Sequence, residues 1–219
     1  MGLFNLKRAG HAAVNKALGA PVAVDFGSSS LKVLQLSGDD RTTVVAAGCV
    51  ETPENLRSDI KRRLEFQVEA LPGLISSLPL RGRRAVCAIP ASLTFCKHAQ
   101  FPKSGGMPVD VLADTMLTEQ LGRDASTLVR RMIEVQGTDP SRGKGEYICL
   151  ATGREIVEKL MKTMKTAKLD VVGMHSEFEA ALAAFGPTHQ RAEARDTAPL
   201  CLDLGGRQTR VSIPPGDAL

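Results

Sequence analysis

The hydrophobic pattern of the first fifty residues predicts three short strands. Apolar side chains, mainly Val, Leu and Ala, dominate residues 21–26, 30–37 and 42–51. A serine-rich turn separates the first two strands, and the hairpin-forming segment Ser37–Asp40 separates the next two. Because both connections are short, we expect the strands to pair in sequence order as an antiparallel meander.

A helix and a further strand are predicted after the meander. Within Glu54–Leu78 apolar residues recur at helical spacing until Pro72-Gly73 interrupts them; they are Leu56, Ile60, Leu64, Val68 and Leu71. The apolar run Arg84–Ile89 then predicts a buried strand. Three strands, a helix and a parallel fourth strand form an α/β unit of the ribonuclease H type.

The pattern of apolar and polar residues changes between Ser92 and about Val135. It predicts a strand over residues 92–102, a loop to Pro108, a helix over Val109–Leu121 and a strand over Thr127–Val135. Loop and proline signals at both ends indicate an inserted subdomain. The glycine-rich segment 137–145 is typical of a hairpin loop and lacks the pattern of a phosphate-binding P-loop.

Helices are also predicted at three other places in the chain. Glu155–Lys168 is strongly amphipathic, Glu177–Phe185 is shorter, and the polar segment 186–197 after it is predicted to be disordered. Residues 3–19 form a weakly amphipathic pattern. That segment is interpreted as a terminal helix leaning on the domain, with a docking helix or a membrane-surface anchor as alternatives.

Two hydrophobic runs that end in Asp-x-Gly carry the candidate chemistry. The first is Val22–Gly27 and the second is Leu200–Gly205, and each chain segment then turns back as another strand. A strand that delivers a carboxylate to its tip, followed by glycine and small polar residues, leaves N–H groups and hydroxyls for phosphate oxygens. Two such hairpins can hold a nucleotide from both sides, with Asp25 and Asp203 facing a hydrated Mg²⁺. One Asp-x-Gly turn alone is typical of ordinary strand ends.

Composition narrows the class of protein. With 43% hydrophobic and 24% charged residues the chain is in the soluble globular range, and its net charge of +4 is too small to indicate nucleic-acid binding. No run approaches the roughly 18 apolar residues of a membrane span, and no secretory leader is recognisable. The five cysteines are interpreted as small buried residues in a reducing compartment. The four histidines have no metal-ligand spacing.

The spacing inside the two hairpins resembles the first and second phosphate motifs of the actin-like ATPase superfamily. Asp25 precedes Lys32 by seven positions, and Asp203 precedes Thr209 by six. Within that superfamily the chain is most similar to the PilM family. These are cytoplasmic actin-like proteins of type IV pilus assembly and relatives of the division protein FtsA.

The likeness to the PilM family covers nearly the whole chain, although each motif is short. It includes the opening strand pair Val22–Leu36, an "AIP…FP" passage within Ala85–Pro102, and a strand-helix-strand-helix segment over Tyr147–Phe185. The resemblance implies an α/β fold: an actin-like (ribonuclease H-like) lobe with an inserted 1C-type subdomain. A second lobe that would bring the base-binding glycines is missing from the sequence, which ends at Leu219.

Three departures from the family pattern affect the expectations. Arg130-Arg131-Met132 stands where the family has an Asp-Tyr pair, and Arg207 stands where many actin-like proteins have glycine. Residues 167–172 replace the usual "AGL-x-P" turn. Together with the absent second lobe, these differences predict an incomplete ATP site, and hydrolysis is not expected.

The resemblance implies a set of residues for ATP and Mg²⁺. Lys32 would offset phosphate charge, serines and glycines would donate hydrogen bonds, and Asp25 and Asp203 would orient the water bound to Mg²⁺. The implied ATP-binding residues are Asp25, Gly27, Ser28, Ser29, Ser30 and Lys32 on one side, with Asp203, Gly205, Gly206 and Thr209 on the other.

The resemblance also implies a domain division and a partner. Residues 1–20 form an N-terminal helix or tail, 21–91 the first part of the lobe, 92–136 the 1C-like insertion with an outer limit near 175, and 146–219 the continuation. The function implied is that of a cytoplasmic scaffold at the inner face of the bacterial inner membrane. It would bind the cytoplasmic tail of a PilN-like membrane protein and would be attached to the membrane through that partner. Whether it forms a homo-oligomer stays open.

The partner groove is expected at the inserted strands, about 92–102 and 127–135, with Phe101 as either a contact residue or a core residue. Three other functions stay open. They are an FtsA-like division scaffold, a sugar-kinase-like enzyme, and a nonfunctional remnant of a longer gene.

Overall fold

The computed structural model describes residues 19–38, 43–102, 106–135, 143–189, 200–206 and 209–212. The predicted N-terminal helix and most of the predicted loop at 137–145 lie outside these residues. The chain divides into two compact units. The first unit contains Met1–Pro90 and Lys159–His175, and the second contains Ala91–Glu158 and Ser176–Leu219.

Ten strands and five α-helices are present in the described part of the chain. The strands are β1 (Val22–Phe26), β2 (Ser30–Leu36), β3 (Val44–Glu51), β4 (Arg84–Ile89), β5 (Phe95–Pro102), β6 (Leu128–Glu134), β7 (Lys144–Gly153), β8 (Asp170–Ser176), β9 (Cys201–Leu204) and β10 (Thr209–Ser212). The helices are α1 (Glu54–Arg57), α2 (Ile60–Ser77), α3 (Val109–Leu121), α4 (Arg154–Thr166) and α5 (Glu177–His189).

The first unit is built on a five-stranded sheet with the order β3-β2-β1-β4-β8. β2 runs antiparallel to both β1 and β3, so the predicted meander is confirmed. β4 runs parallel to β1 on the other side, with Val22 opposite Ala85 and Asp25 opposite Ala88. This order is that of a ribonuclease H-like lobe, and it makes β1 the central strand that carries Asp25 to its end.

Helix α2 covers one face of this sheet near β2 and β3. Its inward residues Leu64, Leu71 and Ile75 are at most 4% exposed. A Cβ atom at Gly48 of β3 would lie 2.8 Å from Leu74 Cδ1, so the helix approaches β3 as closely as a glycine permits. The buried residues of β1 and β2 alternate along each strand, as expected for a sheet with one face against a helix.

The predicted helix over Glu54–Leu78 is wrong in two respects. Two helices are present, because the chain breaks at residues 58–59, where Asp59 accepts a hydrogen bond from the Arg62 N–H and caps α2. Helix α2 then continues through Pro72. A proline removes one intrahelical hydrogen bond, and burial of Leu71 and Ile75 on either side of it offsets that loss.

Helix α5 also extends beyond its prediction. It runs through Gly186 and Pro187 to His189, so the first residues of the segment predicted to be disordered are helical. No helix in the described ranges is long and apolar enough to span a bilayer.

The second unit contains a three-stranded antiparallel sheet with the order β5-β7-β6. The two strands expected to form the partner groove, β5 and β6, are therefore separated by β7 and form the two edges of the sheet. β7 begins at Lys144, so the end of the predicted loop at 137–145 is part of a strand. The predicted domain boundaries are not decided by this arrangement and stay predictions.

Helix α3 packs on one face of the three-stranded sheet. Its buried residues Ala113 and Leu117 contact Phe101, Ala99, Leu128 and Cys149 on the strands. Phe101 is 8% exposed, and its ring centroid lies 5.8 Å from that of Tyr147. Of the two alternatives for Phe101, the core position is the one observed. An aspartate at this position would therefore disrupt folding before it reported on a partner.

Arg130 links α3 to the edge strand β6. Its Nε atom donates to Asp114 Oδ1 at 2.6 Å, and Nη1 donates to Asp110 Oδ1 at 2.7 Å. The side chain of Arg130 is only 23% exposed. An arginine with several carboxylate partners in one plane makes stronger hydrogen bonds than isolated surface ion pairs do. We call these three residues the Arg130 clamp.

Leu71→Ala should lower the free energy of unfolding by about 2–5 kcal/mol, because it leaves a cavity in a fully buried site. Ile60→Ala on the same helix, where the side chain is 39% exposed, serves as the control and should cost less than about 1 kcal/mol. Urea denaturation followed by circular dichroism measures both. Equal losses in the two variants would contradict the assigned inward face of α2.

The Arg130 clamp should make stability depend on acid pH. Hydrogen bonds from Arg130 lower the pKa of the Asp114 carboxyl below its usual value. A carboxyl with a lower pKa in the folded state stabilises the fold above its unfolded-state pKa, and that contribution is lost as pH falls through the folded-state value. The free energy of unfolding should therefore decrease as the pH falls from about 5 to about 2, and less so in Asp114→Asn.

Glu119→Gln is the matched control for this pH experiment, since Glu119 lies on the same helix outside the Arg130 clamp. It should keep the acid sensitivity of the wild type. The same pH profile in Asp114→Asn and the wild type would show that the clamp does not supply the dependence.

Candidate functional site

The first Asp-x-Gly hairpin is the turn between β1 and β2. Asp25 and Lys32 are direct cross-strand neighbours, and Lys32 Nζ lies 3.2 Å from Asp25 Oδ2. The side chains are 39% and 56% exposed, respectively. The pair is thus open to solvent, where an ion pair contributes little stability and either group can exchange partners.

The tip of this hairpin has space that only a glycine leaves open. A Cβ atom at Gly27 would lie 3.4 Å from both Asp25 Oδ2 and Lys32 Nζ, and 3.0 Å from the Ser30 carbonyl oxygen. Ser28 and Ser29 form the turn, and Ser30 is the first, buried residue of β2. The Asp25 carboxylate, the Lys32 ammonium group and the Ser30 carbonyl oxygen therefore all lie close to Gly27.

Gln67 of α2 holds this turn through a hydrogen bond to its backbone. Gln67 was not identified from the sequence as part of the site. Its Nε2 atom donates to the Gly27 carbonyl at 2.9 Å and to Thr52 Oγ1 at 2.9 Å. The side chain is 1% exposed. Since Gln67 lies 40 residues from Gly27, its only sequence signal is a polar residue beside the apolar face of α2.

The second hairpin is formed by β9 and β10, which pair antiparallel as a separate two-stranded sheet. Asp203 lies in β9, Thr209 opens β10 opposite Leu204, and the exposed Gly205 and Gly206 follow β9. Arg207 lies outside the described residues. The two hairpins belong to different units.

Arg210 is the second residue that sequence reasoning missed. It is the direct cross-strand partner of Asp203, and its Nη1 atom donates to Asp203 Oδ2 at 2.9 Å. Its Nη2 atom donates to Glu177 Oε1 at the start of α5, and the guanidinium carbon lies 5.7 Å from the Phe178 ring centroid. The signal available in the sequence is the interval of seven residues from Asp203, which equals that from Asp25 to Lys32.

The cysteines differ in burial, and the buried Cys87 is not suited to be a nucleophile. All five lie in strands as free thiols, but only Cys87 and Cys149 are buried; Cys49 and Cys96 are exposed, against the expectation of burial. Burial, with a smaller contribution from the negative charge of Asp25, raises the pKa of the Cys87 thiol to about 12. A thiol with so high a pKa is a poor nucleophile at neutral pH.

The residues of the two hairpins differ in how they fit Mg²⁺ and phosphate. At the first hairpin, backbone N–H groups, serine hydroxyls and an accessible lysine suit phosphate oxygens. At the second, the Arg210 guanidinium donates to one oxygen of Asp203, Oδ2, and Arg210 is only 19% exposed. A fixed positive charge beside the carboxylate disfavours the metal-facing role that the resemblance implies for Asp203.

Comparison with solved structures places the chain in a known fold. It is similar to a chain of the PilM-PilN type IV pilus biogenesis complex, with a TM-score of 0.70, 21% identity, and coverage of 90% of this chain and 59% of that one. At this identity the likeness shows the fold, which is that of an actin-like lobe. The chain thus spans 59% of the length of that neighbour.

A second similar structure belongs to a secretion system. It is the cytoplasmic domain of EpsL, an inner-membrane component of the type II secretion system of Vibrio cholerae. The TM-score is 0.57 at 14% identity, with 90% of this chain and 68% of that chain covered. No family model matches the sequence, and no curated protein matches it.

Proposed function

We propose that this chain is a PilM-like cytoplasmic scaffold of a type IV pilus or related secretion assembly. In this proposal it works at the inner face of the inner membrane and binds the cytoplasmic tail of a PilN-like membrane protein. The observation that carries the proposal is the fold similarity to the PilM-PilN complex over 90% of the chain. The likeness to a domain from a second envelope assembly adds support.

The three-stranded sheet of the second unit has a face suited to a peptide partner. Helix α3 covers one face, and the row His98, Ile148 and Ile133 crosses the other, one residue from each strand. Ile133 and Ile148 lie outside the buried clusters under α3 and are partly exposed. We call this row the outer-face row. Two isoleucines side by side on a sheet provide apolar anchor points for an extended chain.

Polar groups border the outer-face row on the side of β5. Glu146 accepts hydrogen bonds from Gln100 Nε2 at 3.3 Å and contacts His98 Nε2 at 3.2 Å. A polar rim beside an apolar centre is the usual composition of a binding surface. Among the described residues, β5 and β6 are the edge strands of this sheet, and peptides can extend a sheet along such an edge.

The partner surface and the phosphate hairpins use different residues. The outer-face row lies wholly on β5, β6 and β7 of the second unit, and the first hairpin lies on β1 and β2 of the first. In the proposal, therefore, peptide binding does not require nucleotide. The pairing of Asp203 with Arg210 supports an incomplete ATP site in this chain.

A labelled apolar peptide from the cytoplasmic N-terminus of a PilN-like protein should bind the purified chain with micromolar affinity, with or without ATP. Ile133→Asp should weaken binding at least about tenfold, because it places a charge in the outer-face row. Fluorescence anisotropy measures the affinity, and circular dichroism confirms that the variant is folded.

Val111→Asp is the matched control for peptide binding. Val111 is 46% exposed on α3, the layer that covers the opposite face of the same sheet. This variant should bind like the wild type. No binding by a well-folded wild-type chain at about 100 µM protein, far above the expected dissociation constant, would reject the scaffold and favour a remnant without this function.

Mg-ATP should bind weakly or not at all, with a dissociation constant above about 10 µM in titration calorimetry. The reason is that the sequence supplies phosphate hairpins without recognised base-binding glycines, and Asp203 is paired internally. Tighter binding would show a complete site. In that case Asp25→Ala should abolish binding without unfolding the protein, whereas loss of the fold would make Asp25 a structural turn residue.

A further inference from the structure

The two hairpins neutralise their aspartates in the same way but to different degrees. In each, a cation seven residues later lies directly across the strand pair from the aspartate. Lys32 is 56% exposed and has a flexible ammonium group. Arg210 is 19% exposed and contacts two carboxylates, those of Asp203 and Glu177. The first pair can open to a ligand, whereas the second is held in place.

We propose that Arg210 takes the position of a divalent cation at the second hairpin, so that Asp203 is neutralised without metal. The guanidinium is planar, permanently charged and able to donate to two carboxylates at once. It thus provides the positive charge that an aspartate at a strand end needs. This role of Arg210 rests on the proposed function and explains why its ATP site is incomplete. It does not depend on peptide binding.

A fixed positive charge lies beside the Asp203 carboxylate. Arg210 Nη1 is 2.9 Å from Asp203 Oδ2, and the Phe178 ring borders the same guanidinium. The Asp203 side chain is 40% exposed, so a hydrated divalent ion can approach it, but the arginine, which is only 19% exposed, would repel that ion. A metal ion that uses Asp203 Oδ2 or Glu177 Oε1 would have to displace Arg210.

The Asp203–Arg210 pair is also connected, through Glu177, to the backbone that precedes β5. Glu177 uses one oxygen for Arg210 and the other to accept the Ala91 N–H at 2.8 Å. Asp203, Arg210, Glu177 and the backbone at Ala91 thus form one continuous chain of hydrogen bonds inside the second unit. Removing the arginine leaves two carboxylates without their shared cation, which is unfavourable until another cation replaces it.

The test is a titration of the full chain and of Arg210→Ala with MnCl₂ and with MgCl₂, without nucleotide. Bound Mn²⁺ is measured by electron paramagnetic resonance, and Tm by circular dichroism. Arg210→Ala should have a lower Tm in chelator, should recover part of it with Mn²⁺, and should bind one ion with a dissociation constant of about 1 mM or tighter. The wild type should bind at least about tenfold more weakly, since Arg210 blocks the site.

Arg131→Ala is the matched control, because Arg131 pairs with Glu179 on the same helix α5 at 2.8 Å but does not contact the hairpin. It should gain no Mn²⁺ binding. The double variant Asp203→Asn with Arg210→Met removes both charges and should fold without binding metal.

Stoichiometric Mn²⁺ binding by the wild type as tight as that of Arg210→Ala would overturn the proposal. So would a folded Arg210→Ala that gains no binding. If Arg210→Ala does not fold, the wild-type titration and the double variant decide: metal binding by either one contradicts the role assigned to Arg210.

Discussion

A carboxylate at the end of a strand must be solvated or paired with a cation, and this constraint determines the character of both hairpins. β1 and β9 each carry an aspartate near a turn, and the returning strand places a basic side chain directly opposite it. Because the cross-strand position is set by hairpin length, the same interval of seven residues produces both pairs. The two aspartates are about equally exposed, but Lys32 is 56% exposed and Arg210 only 19%, so the lysine can leave its aspartate more easily than the arginine can.

The second unit depends on a comparable use of arginine. The Arg130 clamp holds α3 to the edge strand β6, and apolar residues fill the layer between them. With one face of the sheet covered in this way, the other face presents the outer-face row, and both sheet edges present backbone groups. In the proposed function this surface binds a peptide regardless of what the two Asp-x-Gly hairpins hold.

Much of the fold follows from short-range pattern. The meander, the strand at 84–89 and the helix over Val109–Leu121 were predictable because apolar periodicity and turn residues act within a few positions. The break at residues 58–59 and the passage of α2 through Pro72 were not. The first depends on a capping contact by Asp59, and the second on tertiary burial that offsets one lost hydrogen bond.

The candidate site was predictable in its motifs and not in its contacts. The Asp-x-Gly runs identified Asp25 and Asp203, but the roles of Gln67 and Arg210 require knowledge of which residues meet in space. The position of β7 between β5 and β6 likewise reflects long-range strand pairing, which a local pattern does not encode. Phe101 could be a core or a contact residue by sequence, and only its packing against Tyr147 distinguishes the two.

In the proposed function a folded scaffold binds its partner on the three-stranded sheet, independently of the hairpins. Hydrogen exchange with mass spectrometry on the full chain, with and without the PilN-like peptide, can locate the bound peptide. We expect slower exchange in β5 or β6, where edge amides would pair with the peptide, and unchanged exchange in β1 and β2. Protection confined to the first hairpin, or no change anywhere at saturating peptide, would contradict it.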